Sequence, residues 1–114
     1  MTAIEPRRAA LEAVKHAPGR PATATLHESD DCRLVVFRIE PGEEVKAHRS
    51  PSSVVLEVLE GAGTIAGERD GATEERRCAA GDVVVLAPNE VHAMRSTGER
   101  MLLLATITPR PGTR

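Results

Sequence analysis

The chain has 114 residues, 40% of them hydrophobic and 28% charged, and its formal net charge is −2. That length holds one folded domain, and the balance is wrong for a disordered segment. Phe37 is the one aromatic residue, which excludes an aromatic platform for single-stranded nucleic acid and an aromatic cage for a quaternary amine.

The near-neutral charge lacks the basic footprint of a nucleic-acid binder. The longest apolar run, residues 101–105, is far too short to span a bilayer. Basic residues near the N-terminus are not followed by an apolar stretch, so a secretory signal is not expected and the cytoplasm is the expected compartment. Arginine outnumbers lysine by 13 to 2, a bias that a GC-rich bacterial genome explains.

Residues 6–16 read as one short helix. Pro6 suits a first helical position, and Pro18-Gly19 ends it. Ala10, Leu11, Val14 and Ala17 form a narrow apolar stripe, suited to packing on the outside of something larger.

After Pro21 the pattern changes to strands. They are predicted over residues 22–27, 34–39, 54–59, 63–66, 75–78, 83–86, 92–95 and 101–107. Turn residues separate them: Ser29-Asp30-Asp31, Pro41-Gly42, Gly61, the stretch 67–71, Gly81-Asp82, Pro88-Asn89 and Thr97-Gly98. Short strands at near-regular spacing, with no helix between them, predict an all-β sandwich or barrel whose closure would hide its strand edges. The expected division is a helical extension over 1–20, a β-barrel over 21–109 and a frayed tail over 110–114, the loosening starting near Pro109.

Several chemical motifs fail. The Gly61-Ala62-Gly63 stretch imitates a phosphate loop, but its third glycine, Gly67, falls one place late and no Lys-Ser or Lys-Thr pair follows. It reads as a turn entering a strand. Ser50, Ser52 and Ser53 lack a nucleophile elbow. Cys32 and Cys78 form no C-x-x-C pattern and read as two buried thiols.

Two stretches resemble the paired motifs of the cupin family. The first family motif, G-x5-H-x-H-x3,4-E-x6-G, is matched in spacing from Gly42 through His48, Ser50 and Val54 to Gly61. The second, G-x5-P-x-G-x2-H-x3-N, is matched from Gly81 through Ala87, Asn89 and His92 to Ser96. The resemblance covers roughly residues 22–108 and implies a double-stranded β-helix, or jelly-roll barrel, here with a short N-terminal helix. It implies metal ligands at positions 48, 50, 54 and 92, of which His48 and His92 remain while Ser50 and Val54 replace the others. Ala87, Asn89 and Ser96 are further departures; Asn tolerates the positive φ of the glycine it replaces.

Strand alternation then shapes the expected lumen. If Val54 faces inward, so do Leu56 and Val58, and Met94 joins His92. The expected pocket is aliphatic, with His48 and His92 at its wall or mouth. Glu57 falls on the opposite face from Val54. Two imidazoles alone are a weak metal site. Candidates for a third ligand are His27, Cys32, Cys78 and Glu57, or else water or a bound carboxylate. His16 is expected in solvent and His27 on a strand surface.

Two readings stay open. One is a small-molecule-binding cupin with a partly degenerate site for iron, nickel, zinc or manganese, and the resemblance allows a dioxygenase, an isomerase or a lyase. The other is a metal-free, non-enzymatic ligand-binding or sensor module. Small cupins commonly pair through their sheets, so the resemblance also implies a homodimer, with Val55 and Leu59 on apolar outward faces. No nucleic acid or membrane partner is expected.

Overall fold

A computed structural model describes residues 1–112. It contains one short helix, α1 (Pro6–Glu12), followed by strands β1 (Ala22–Glu28), β2 (Arg33–Ile39), β3 (Glu44–His48), β4 (Ser53–Glu60), β5 (Ala62–Arg69), β6 (Ala72–Ala79), β7 (Val83–Leu86), β8 (Val91–Arg95) and β9 (Met101–Thr108). The strands form two antiparallel sheets, ordered β1-β2-β9-β4-β7 and β3-β8-β5-β6. The expected all-β architecture holds. The sheets face one another without hydrogen-bonding into a closed barrel, so β1, β7, β3 and β6 keep free edges among the described residues.

The core lies between the sheets. Ile39, Leu56 and Leu103 from the five-stranded sheet meet Ile65, Cys78 and Met94 from the four-stranded one. Alternation drives this: β4 runs buried at Val54, Leu56 and Val58 and half-buried at the residues between. With no aromatic residue in that set, close packing of short aliphatic side chains carries the burial.

The helix covers the opposite face of the larger sheet, where Ala10 packs with Val36 and Leu102. It ends four residues before the expected His16. Arg38 explains the early end: its Nη1 donates to the carbonyls of Ala10, Leu11 and Ala13 at 3.0, 2.8 and 3.0 Å. The guanidinium thus satisfies carbonyls that a longer helix would have bonded internally. Leu11 and Val14, placed in the apolar stripe by spacing, are exposed; Ala10 and Ala13 are the buried pair.

Strand β3, absent from the predicted elements, carries no hydrophobic period because four of its five residues are exposed. The β5–β6 hairpin is longer than expected. Its turn is Asp70-Gly71 alone, with φ of 53° and 78°, as a two-residue type I′ turn requires. The expected frayed tail is tied down through Arg110: the Ser52 hydroxyl donates to the Pro109 carbonyl, and Arg110 pairs with Glu28 and Asp30. Residues 113 and 114 lie outside the described part. Both cysteines are free; Cys78 is buried, but Cys32 is only half-buried, against the expectation of two buried thiols.

A polar knot joins the N-terminal segment to the β2–β3 turn. Lys15 pairs with the buried Glu43 carboxylate, which also accepts the Glu40 N–H at 3.0 Å. Ser96 adds its hydroxyl to the Glu40 carbonyl at 2.6 Å and its N–H to the Glu43 carbonyl at 3.2 Å. Burial works to raise the Glu43 carboxyl, but Lys15, the Glu40 N–H and Arg38 outweigh it and hold it below its ordinary value.

Two outcomes test these constraints. The folded Glu43 carboxyl titrates lower than the unfolded one, so its contribution is complete at neutral pH and fades as pH falls below the ordinary value of 4.5. Glu43→Gln should cost about 1–2 kcal/mol at pH 7 and progressively less in acid, read by urea denaturation across pH. Gly61 has φ 77°, and a Cβ there would lie 1.8 Å from the Arg100 carbonyl oxygen. Gly61→Ala should cost about 3 kcal/mol or more, combining backbone strain and steric displacement. Gly71→Ala, with φ 78° but nothing within 4 Å, should cost only about 1 kcal/mol.

Candidate functional site

The site is assembled by an irregular ladder between β3 and β8. Val45 lies opposite Met94, but the next matched pair is His48 with His92. Three steps along β3 therefore match two along β8. Strict alternation would put Val45 and His48 on opposite faces; the extra residue returns His48 to the face of His92. The two rings meet edge to face, with centroids 4.3 Å apart and planes at 63°. His48 is exposed, whereas His92 keeps 4% of its surface.

His48 is oriented by its own strand and His92 by the turn just before β8. His48 Nδ1 lies 2.8 Å from the Lys46 carbonyl, and His92 Nδ1 lies 2.9 Å from the Glu90 carbonyl. A carbonyl only accepts, so in the neutral ring Nδ1 carries the proton and Nε2 offers its lone pair. Burial lowers the His92 pKa below 6.5, and His48 adds to the effect against the opposing pull of the Glu90 carbonyl and carboxylate. His92 is therefore neutral at pH 7. The β7–β8 turn holds the facing loop through Asn89, whose N–H donates to the Ser50 carbonyl at 2.7 Å. Asn89 adopts φ 66°, the conformation of the glycine it replaces in the motif.

The pair borders a cavity of about 270 Å³. Its apolar wall is Phe37, Val54, Leu56, Met94, Ala105 and Ile107, and its polar side includes Arg33, His48, Arg49, Ser50 and His92. Of the residues expected to line a pocket, His48, Val54, Leu56, His92 and Met94 come together here. Val58 is buried in the same core cluster but does not line the cavity. Arg33, Phe37 and Arg49, and β9 residues Ala105 and Ile107, were not foreseen. The alternation of β2 and β9 carried part of the signal, but which strands face the histidines is a matter of sheet order.

Two other hollows lack this convergence. A groove of about 640 Å³ runs past His16, Arg20, Thr23 and Lys46 and shares Phe37 with the site. Another, of about 360 Å³, opens beside Cys78, Glu74, Arg76 and Asp82.

The donor set can be compared with what a resident transition metal requires. Val54 is aliphatic, and the Ser50 hydroxyl already accepts the Ser52 N–H at 3.2 Å. Glu57 lies on the outer face, opposite Val83 of β7, and His27 sits half-buried on β1. Burial, with Asp82 adding, pushes the Cys78 thiol up and keeps it protonated, a poor ligand form. Cys32 lies in the β1–β2 connection and does not line the cavity. Among the described residues no group of three His, Cys, Asp or Glu side chains is placed to hold a metal ion. Two imidazoles fall one protein ligand short of common catalytic zinc and non-heme iron sites, so the residues present do not fit a resident metal.

The described residues include no helix long and apolar enough to cross a membrane. The Cupin domain family profile matches residues 35–108. No curated protein matches the chain. Among solved structures, an RmlC-like cupin protein from Desulfovibrio desulfuricans is similar at 30% identity and a TM-score of 0.73, over 87% of this chain and 92% of that one. A Thermus thermophilus protein matches at 24% identity and TM-score 0.80, over 97% of this chain and 100% of its own. A Klebsiella pneumoniae protein with a double-stranded β-helix domain matches at 24% identity and TM-score 0.78, over 90% of each chain. With the family profile spanning both halves of the histidine site, from β2 to β9, this chain belongs to the cupin family.

Proposed function

We propose that this cupin binds a small organic molecule in the cavity at His48 and His92, and that the imidazoles meet the ligand directly. The observation that carries this reading is the pair of Nδ1–H···O=C bonds, which leaves two Nε2 lone pairs at an apolar cavity. Such a pocket suits recognition: an apolar body fills the wall while a hydroxyl or N–H donates to an imidazole. The cavity volume of about 270 Å³ suits a small metabolite rather than a drug-sized compound. A binding or sensor role follows most simply from this set.

A catalytic reading is favoured by one observation. Burial keeps His92 neutral at pH 7, and a neutral imidazole in a cavity can take a proton as general base.

A second copy of the chain is the proposed partner. Val83 and Val85 are 58% and 68% exposed. They lie on β7, an edge strand, on the face that also carries half-buried Val55 and Leu59. The β6 edge is guarded by Glu74, Glu75, Arg76 and Arg77, whereas the β7 edge presents valines. A two-fold copy covers this valine-bearing edge with its own equivalent.

Three measurements test these readings. Chelator-treated protein offered iron, nickel, zinc or manganese should take up no stoichiometric metal; one equivalent per chain, lost in both His48→Ala and His92→Ala, would establish a metal centre and end the direct-contact reading. In an NMR titration the His92 ring should show a midpoint below 6.5. Because folded His92 binds its proton later than the unfolded chain, its contribution to stability is complete above that value and declines as pH falls through it. His92→Leu should remove that part of the pH dependence. Sedimentation should give a dimer that Val85→Lys converts to monomer; an unchanged dimer would place the interface elsewhere.

A further inference from the structure

The proposed cavity leaves the chemical class of its ligand open, and the charges around it narrow that class. Arg33 and Arg49 line the cavity, and no Asp or Glu does. Their charges are not equally answered. Arg33 is held by Glu28, with Nη2 at 2.7 Å and Nε at 3.2 Å from the same carboxylate oxygen. Arg49 is exposed and has no hydrogen bond or ion pair among the described residues. It stands one residue after His48, in the loop that Asn89 fastens through the neighbouring Ser50. The opposite wall is aliphatic, from Val54, Leu56 and Ile107.

These features make different demands on an occupant. A cation would meet two guanidinium groups and no carboxylate. A neutral aliphatic molecule would fill the wall and leave Arg49 unanswered. A compact anion without an apolar body, such as inorganic phosphate, would satisfy Arg49 and leave the wall wet. An aliphatic carboxylate meets both demands, because guanidinium and carboxylate match in charge and geometry.

Resting on the reading that this cavity binds a small molecule, we infer that its ligand class is the small aliphatic carboxylates, with the carboxylate toward Arg49 and the hydrocarbon against Val54, Leu56 and Ile107. Arg49 acts as the specificity residue. Arg33, its charge answered by Glu28, lines the cavity without competing for the carboxylate. A hydroxyl or N–H on the hydrocarbon would have the Nε2 atoms of His48 and His92 as acceptors.

The test pairs two probes of one carbon skeleton, 4-methylpentanoate and the uncharged 4-methylpentanamide. The ring signals of His48 and His92 are followed by NMR in the wild-type chain and in Arg49→Met and Arg49→Lys. The pentanoate should shift both rings saturably and bind about tenfold tighter than the amide. Arg49→Met should remove that advantage and leave the amide unchanged, Arg49→Lys should retain part of it, and added salt should weaken the pentanoate alone. Arg49 is exposed, so an unchanged thermal midpoint is expected in both variants. Amide binding as tight as pentanoate, or pentanoate affinity unaltered in Arg49→Met, would overturn the carboxylate assignment and leave the cavity reading intact. If neither probe moves either ring, the assignment falls and the cavity reading loses its support for ligands of this size.

Discussion

Strand β9 is the constraint on which the rest of the molecule depends. It lies between β2 and β4 in the larger sheet, and Met101, Leu102 and Leu103 are wholly buried. Leu103 points into the core between the sheets, while Leu102 points outward beneath α1. Each such side chain contributes about 1.5–3 kcal/mol on burial, and here successive residues are covered on both faces of one strand. The helix is therefore part of the packing that finishes the sheet. Arg38 fastens it by bonding the carbonyls at its end, and the Lys15–Glu43 pair fastens the chain that follows.

Against that rigid sheet, the smaller sheet places the chemistry. The slip of one residue between Val45 and His48 decides whether the two histidines share a face. Bulges of this kind cost ladder regularity and redirect a side chain. Here the redirected residue is on an edge strand, where the lost pairing disturbs little. The outcome is an asymmetric pair: one imidazole in solvent, the other held neutral by burial, each turned by the carbonyl two residues before it.

The same arrangement explains why the loss of the other motif ligands is structurally silent. Val54 packs into the core beside Leu56, so an aliphatic residue at that place adds to the apolar wall. Ser50 takes up a local N–H from Ser52. The positions remain filled and satisfied, without the ligand side chains that the motif resemblance implies there. The cupin frame is retained with these residues in place.

Much of this was legible in the residues themselves. Alternation along β4 and β8 placed Val54, Leu56 and Met94 inward, because a period of two leaves each strand only two faces. The turn residues marked the strand ends, and motif spacing named His48 and His92. The exposed strand β3 was not legible, since an edge strand with four exposed residues carries no hydrophobic period. Nor was the early end of α1, which depends on Arg38 arriving from 25–28 residues away. The contribution of Arg33, Phe37 and Ile107 to the cavity required the order β1-β2-β9-β4-β7, set by pairings between distant segments. The sequence by itself determined which residues alternate and where the chain turns, because those depend on neighbours along the chain. Only the tertiary structure decided which strands face the histidines, and that an inserted residue brings the rings together, because both depend on ladder register between segments far apart in the chain.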